Sequence, residues 1–419
     1  MIDRIIVNSL WGPVHERHWK RLAQVSYHRF SQAKTKQTTT YMQSPLTGAQ
    51  IEVTYLIKEV AGSRLGYVEI SIPVASALIG HNCFHAGLEV LHWELQCLEL
   101  LLKIVLLSIG MVEHEIQRYL EHALVMLVEC TWDTQTASSK ARHALQLRTH
   151  AHALALRSLS ARRDIGVEDA DPRNTKSGTS LLVTLKSGDF FRQYCKPELM
   201  RSKRRSRRAN HDHYVSDAMK SVISPHMPIL ESHARNELLA GANTLNSAGI
   251  RYLRDMTPET LEHAMVTVWR SLGFCRRGDL NVEALKGSTA LDTLKRFEAG
   301  EDVVETLPEY RVSRDRLAIL AAHGPDIADK QRKKLRFKSA NLGRQLQYPR
   351  RWSLPDEMRN LVVSERTAPA IIEELHQGLA FVMDGVVPKF DDEAQKQAWL
   401  GRWMLFAKSE QLASLHAAN

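Results

Sequence analysis

The sequence lacks the paired cysteines of a stapled or zinc-bound domain. Its five cysteines (Cys83, Cys97, Cys130, Cys195 and Cys275) are odd in number, and no two form a CxxC. That excludes a disulfide framework and a structural zinc site of the usual spacing, and points to a reducing compartment. No long uncharged apolar run is present either. The most apolar stretch, residues 95–112, carries Glu99 and Lys103, which marks a buried helix rather than a membrane span. The first residues, MIDRIIVNSLW, are too short and too charged for a signal peptide, so a cytoplasmic protein with no membrane partner is expected. There is no internal repeat and no long low-complexity segment.

What is present is ordinary globular composition with an excess of positive charge. Of 419 residues, 44% are hydrophobic and 25% charged, and 56 Lys and Arg against 47 Asp and Glu leave a net +9. That length accommodates two domains, and the sign of the charge favours a polyanionic partner.

Alternation predicts strands at 2–7, 50–57 and 66–72, the last two joined through a turn at Gly62-Ser63. Residues 86–120 read as one long helix or two broken near Gly110. Residues 124–132 (LVMLVECTW) read as a central strand, and 138–162 as a helix. A loop over 163–179 leads to a strand at 180–185. A helix is expected at 214–231, and a short strand or helix at 233–240. Thr257-Pro258-Glu259 is a helix start, followed by several helices to residue 325 and two or three more after 355. The composition changes near 250–260. The expected fold is α/β (α+β): an antiparallel-sheet domain at 1–255, then a helical domain at 256–419 that could bind DNA.

The chemistry concentrates in residues 178–208. A β-rich run is followed by Tyr194, flanked by Arg192 and Lys196. Then Arg201, Lys203, Arg204, Arg205, Arg207 and Arg208 place six cations in eight residues. A tyrosine can attack a phosphodiester and hold the phosphate covalently. With a free pKa of about 10, the phenol needs neighbouring cations or a metal to react at neutral pH. The same residue also reads as a half-buried tyrosine at a helix start. The basic run is either a solvated loop or a phosphate-binding arm. A second basic cluster, 330–351, carries nine cations interleaved with Phe337 and Tyr348 and is followed by Trp352.

Three metal-ligand sets are open. His150-Ala151-His152 matches the His-hydrophobic-His pair of tyrosine strand-nicking enzymes, but lies in a helical sequence where such residues diverge by roughly 200°. His211-Asp212-His213 lies in a polar, basic loop. The alternative joins His81, in Gly80-His81-Asn82, to Glu129, the carboxylate interrupting an apolar strand, with Glu69 as a third ligand. Imidazole and carboxylates suit Mg²⁺ or Mn²⁺. The plain reading has Glu129 facing solvent and His81 capping a helix.

Five blocks in order and spacing, MIDRI, VEISIPVASALIGHNCF, LVECT, SGTSLLVTLKSGDFFRQYCKPEL and ARNELLAGANTLNSAGI, resemble landmarks of the filamentous-phage replication initiators of the gene II protein type. The resemblance covers roughly residues 1–255 and continues faintly through 294–327. It implies an endonuclease that nicks one strand of origin DNA, starts rolling-circle synthesis, and later cuts and rejoins the displaced strand. It also implies contact with double- and single-stranded origin DNA and with the host helicase and polymerase. It makes Tyr194 the nucleophile, with Lys196 and Glu198 beside it. The chain departs from the pattern at Leu127, where the family has arginine, at Glu129, where it has aspartate, and at Asn236, where it has an apolar residue. A non-catalytic DNA-binding replication or regulatory protein is the competing expectation.

Overall fold

The computed structural model describes residues 2–13, 37–60, 63–160, 167–171, 180–185, 187–201, 215–272, 282–299, 301–322, 327 and 356–407. Among these residues nine strands form one antiparallel sheet: β1 (Ile2–Pro13), β2 (Gln37–Gln43), β3 (Gln50–Val60), β4 (Ser63–Ile72), β5 (Leu124–Gln135), β6 (Val167–Asp171), β7 (Ser180–Leu185), β8 (Phe190–Tyr194) and β9 (His233–Gly241). Their order is β2-β3-β4-β1-β5-β9-β8-β7-β6, so β5 holds the centre and is flanked by the first and last of these strands.

The period-two side-chain rule divides the sheet into two faces. Ile5 stands opposite Ile72 and Val128, and Val7 opposite Ile70. Cys130, Leu238, Phe191 and Val183 continue that apolar row into the other half. All are fully buried. Helices cover this face: α1 (Val74–Ile79), α2 (Leu91–Ser108), α3 (Glu113–Glu121) and α4 (Ser139–Ser160) come from the first half of the chain. The α2–α3 break falls at Gly110, whose φ of 93° is the left-handed conformation that stops a helix. Tyr119 of α3 donates to the Val68 carbonyl at 3.1 Å, pinning helix to sheet.

Later elements are α5 (Lys196–Arg201), α6 (Asp217–Ile223), α7 (Ala242–Ser247), α8 (Pro258–Ser271), α9 (Thr289–Glu298), α10 (Val303–Thr306), α11 (Glu309–Ala321), α12 (Ala368–Asp384) and α13 (Glu393–Trp403). Trp269 of α8 meets Trp132 of β5 with ring centroids 5.6 Å apart, and α12 packs against α2.

The expected division at 255/256 does not follow the cores. Residues 261–272 and 358–407 join the core of the sheet, and among the described residues 285–327 build a second, separate cluster. The later helices join that core by packing on it: α8 on β9, α12 on α2 and α13 on α12. In that second cluster the buried Asp315 accepts hydrogen bonds from Thr289 at 2.8 Å and Thr293 at 2.6 Å, tying α9 to α11.

Two further expectations change. Residues 167–171, expected within a loop, form edge strand β6. Strand β8 was not anticipated: its hairpin with β7 turns at Gly188, where φ is 85°. The ambiguous segment 233–240 is a strand, and 214–231 is a short helix followed by a 3-10 segment, Ser224–Ser232. The basic cluster 330–351 lies outside the described residues, as does Cys275; the other four cysteines are buried and unpaired. Among the described residues no helix is long and apolar enough to cross a membrane.

Gly378 of α12 lies flat against the Trp403 ring, and a Cβ there would collide with it. Gly378→Ala is expected to lower stability by about 1–3 kcal/mol through overpacking, despite alanine's better helix propensity. Urea denaturation of the two proteins measures it, and an unchanged or higher midpoint would show that Trp403 moves aside freely.

Candidate active site

The second face of the sheet is polar at its centre. Strand register sets Arg4 opposite Glu129, Thr131 opposite Glu237, Asp133 opposite Arg235, Arg192 opposite Glu237 and Tyr194 opposite Arg235. Side chains two apart on a strand share a face, so Glu129-Thr131-Asp133, Arg235-Glu237 and Arg192-Tyr194 all converge there. Asp3 joins them through a β-bulge. Ile2 pairs with Cys130 and Arg4 with Glu129, so Asp3 is the extra residue at that step. One oxygen of each of Asp3, Glu129 and Glu237 lies within 4.8 Å of the other two, and all three residues are buried.

Each carboxylate of the group has a partner. Glu129 pairs with Arg4 at 3.0 Å. Glu237 accepts the Tyr194 hydroxyl on Oε1 and pairs with Arg192 on Oε2 at 3.4 Å. Asp3 accepts from Asn82 Nδ2 at 3.3 Å, and Asn82 Oδ1 accepts from Lys196 Nζ at 2.5 Å. Arg235 holds Asp133 through Nε at 3.0 Å and Nη2 at 2.9 Å, and also donates to the carbonyls of Asn82 and Cys83. The loop after α1 is thus clamped over this face. Four carboxylates (Asp3, Glu129, Asp133, Glu237) meet four cations (Arg4, Arg192, Lys196, Arg235), so the cluster is formally neutral. Thr131 Oγ1 is the exception: fully buried, directly across from Glu237, it makes no hydrogen bond.

Tyr194 is 1% exposed. Burial, and then the adjacent Glu237 carboxylate, push its phenol well above the ordinary value. The Arg192 guanidinium lies 4.6 Å from its ring centroid. Lys196 is equally buried, and burial with the neighbouring Arg235 charge lowers its ammonium below the usual value. Glu198, next in the motif, is ion-paired to Arg142 of α4.

The structure therefore brings Tyr194, Lys196, Arg192 and Glu129 together, and groups Glu129 with Asp3 and Glu237 rather than with His81 and Glu69. Glu69 lies half-buried on β4, where Asn8 donates to it at 3.3 Å. Asn8 is four residues along β1 from Arg4, roughly 13 Å at strand rise. His81 is buried, and its Nδ1 accepts the Cys83 N–H at 3.1 Å, which places the proton on Nε2 and occupies the other lone pair. His150 sits half-buried on α4, a helix, where residues two apart diverge; the side chain of His152, like Arg201 to Arg208 and His211 to His213, lies outside the described side chains.

Sequence reading missed Asp3, Thr131 and Glu237 as site residues. The signal was the i, i+2 spacing of polar residues on strands, legible for β9 only once 233–240 is read as a strand.

Burial, with Lys196 nearby, lowers the His81 pKa to about 4, against about 6.5 when unfolded. Between those values the unfolded chain takes up a proton that the folded chain refuses. Stability is therefore expected to fall as pH drops from 6.5 to 4, by up to about 3 kcal/mol from this residue. Comparing His81→Gln with wild type across that window checks it. Identical pH slopes would remove His81 as a source.

No protein-family model, no curated protein and no solved structure matches the chain.

Proposed function

We propose that the chain initiates rolling-circle replication by nicking and rejoining one strand of phage or plasmid origin DNA through Tyr194. The observation that carries this reading is the Tyr194 hydroxyl bonded to Glu237 inside the three-carboxylate group. The donor set fits Mg²⁺ or Mn²⁺: Asp3, Glu129 and Glu237 offer hard oxygens, and Thr131 Oγ1 is a buried hydroxyl with no other partner. Such an ion, when bound, supplies positive charge to the oxygens of a scissile phosphate.

The chain's own residues do the remainder. Tyr194 Oη attacks phosphorus, the Oη–P bond forms and the P–O3′ bond breaks. The phenolic proton passes to water, and the departing 3′ oxygen takes a proton from water, leaving a primer end. Lys196 and Arg192 lend charge to the phosphate, while Arg201 and the run from Lys203 to Arg208 contact the flanking backbone. The phosphotyrosine conserves the ester for rejoining.

One observation favours a second reading, a non-catalytic DNA-binding replication or regulatory protein: Tyr194 is buried and its carboxylate neighbours are ion-paired. Supercoiled origin plasmid incubated with the protein and Mn²⁺ separates the two. The initiator yields relaxed circles carrying protein on a 5′ end. Bound but intact supercoils would establish the second reading.

A further inference from the structure

A phenol that is 1% exposed cannot meet a phosphodiester, so something must first take its acceptor away. The acceptor is Glu237 Oε1, and Glu237 is also one wall of the carboxylate group. The buried hydroxyl of Thr131, without a hydrogen-bond partner and directly across the ladder from Glu237, independently points to a ligand at that place. We infer that Tyr194 and a divalent cation compete for Glu237: the resting protein holds its nucleophile locked on the metal site, and the cation releases the phenol by taking the carboxylate. This inference rests on the metal-dependent reading above.

The electrostatics give the competition its direction. A carboxylate accepting a hydroxyl spreads its charge into that bond and offers less to a cation. Arg192 holds the second oxygen at 3.4 Å, a long contact that leaves the hydroxyl as the closer competitor. Removing only the hydroxyl, in Tyr194→Phe, takes the Tyr194 bond from Oε1 and changes neither the charge of the site nor its packing. If the tyrosine were instead a metal ligand, the same variant would bind the cation more weakly. The sign of the change discriminates.

The test needs no DNA. Free Mn²⁺ is followed by electron paramagnetic resonance during titration of the full chain, its Tyr194→Phe variant and its Asp3→Asn variant. The phenylalanine variant is expected to bind about tenfold more tightly than wild type, the scale of one hydrogen bond to a charged group. Asp3→Asn is expected to bind at least tenfold more weakly. In parallel, nitration by tetranitromethane, read by peptide mass, should reach Tyr194 faster with Mn²⁺ than without, while Tyr252 nitrates equally in both. Equal or weaker binding by Tyr194→Phe overturns the competition, as does nitration of Tyr194 indifferent to Mn²⁺. Unchanged binding by Asp3→Asn overturns the site itself. Because no strand is cut in any arm, a failure here is separable from a failure of the plasmid assay.

Discussion

Tyr194→Phe is expected to abolish the covalent protein–DNA adduct, lowering its yield on the order of 10³-fold or more, while origin binding stays within a few-fold. The substitution keeps the ring that packs under Arg192 and removes one oxygen, the atom proposed to bond to phosphorus. Water cannot replace it, since hydrolysis discards the ester that rejoining needs. The readout is a denaturing gel of labelled origin DNA incubated with protein and Mn²⁺. Tyr252→Phe is the internal control: that ring lies half-buried beyond the sheet, with the guanidinium carbons of Arg251 and Arg254 5.4 Å and 4.9 Å from its centroid. An adduct that persists in Tyr194→Phe and disappears in Tyr252→Phe would move the nucleophile.

Arg235→Met should cost about 3–5 kcal/mol of folding stability, the largest structural effect expected of a single change at the site. Arg235 is fully buried, meets Asp133 through two nitrogens and satisfies two loop carbonyls. Burial works to lower its pKa, but the charge and hydrogen bonds of Asp133 and its other neighbours outweigh that and raise it, so the guanidinium stays charged throughout the accessible range. Methionine fills a similar volume but leaves a buried carboxylate without its counter-ion and two carbonyls without a donor. The double variant Arg235→Met with Asp133→Leu is expected to recover much of the loss, because the unpaired charge goes with it. Chemical denaturation of the four proteins closes the cycle. If the double variant is no more stable than Arg235→Met, the carbonyl contacts outweigh the ion pair.

Much of the fold was legible because local chemistry carried it. The alternation at 2–7, 50–57 and 66–72, the helix break at Gly110, the proline start at Pro258 and the helical composition of 138–162 all act within a few residues. Edge strand β6 was not legible. VEDAD shows no apolar alternation, and its strand state comes from pairing with β7. Strand β9 was ambiguous for a related reason: HARNELLAG is buried on both faces and carries Arg235, Asn236 and Glu237, so burial imposes no simple period on it. Those three are buried because partners on β5, β8 and the 82–83 loop satisfy them, and no partner of that kind is visible in a linear chain.

The chemical vocabulary of the site is written along the chain: a tyrosine between cations at 192–196, a carboxylate interrupting an apolar strand at 129, and a histidine-asparagine pair at 81–82. Which of them meet is set by how the strands assemble. Glu129 joins Asp3 and Glu237 because β5 lies between β1 and β9 and a bulge turns Asp3 onto the polar face. Glu69 falls away because register, fixed by the apolar rows on the opposite face, sets it beside Asn8. The burial of Tyr194 was decided in the same way, since its hydroxyl finds Glu237 across one strand pair and more than forty residues of chain. Spacing along the chain specifies which side chains share a strand face; strand order and register, set by the burial of the other face, specify which faces adjoin.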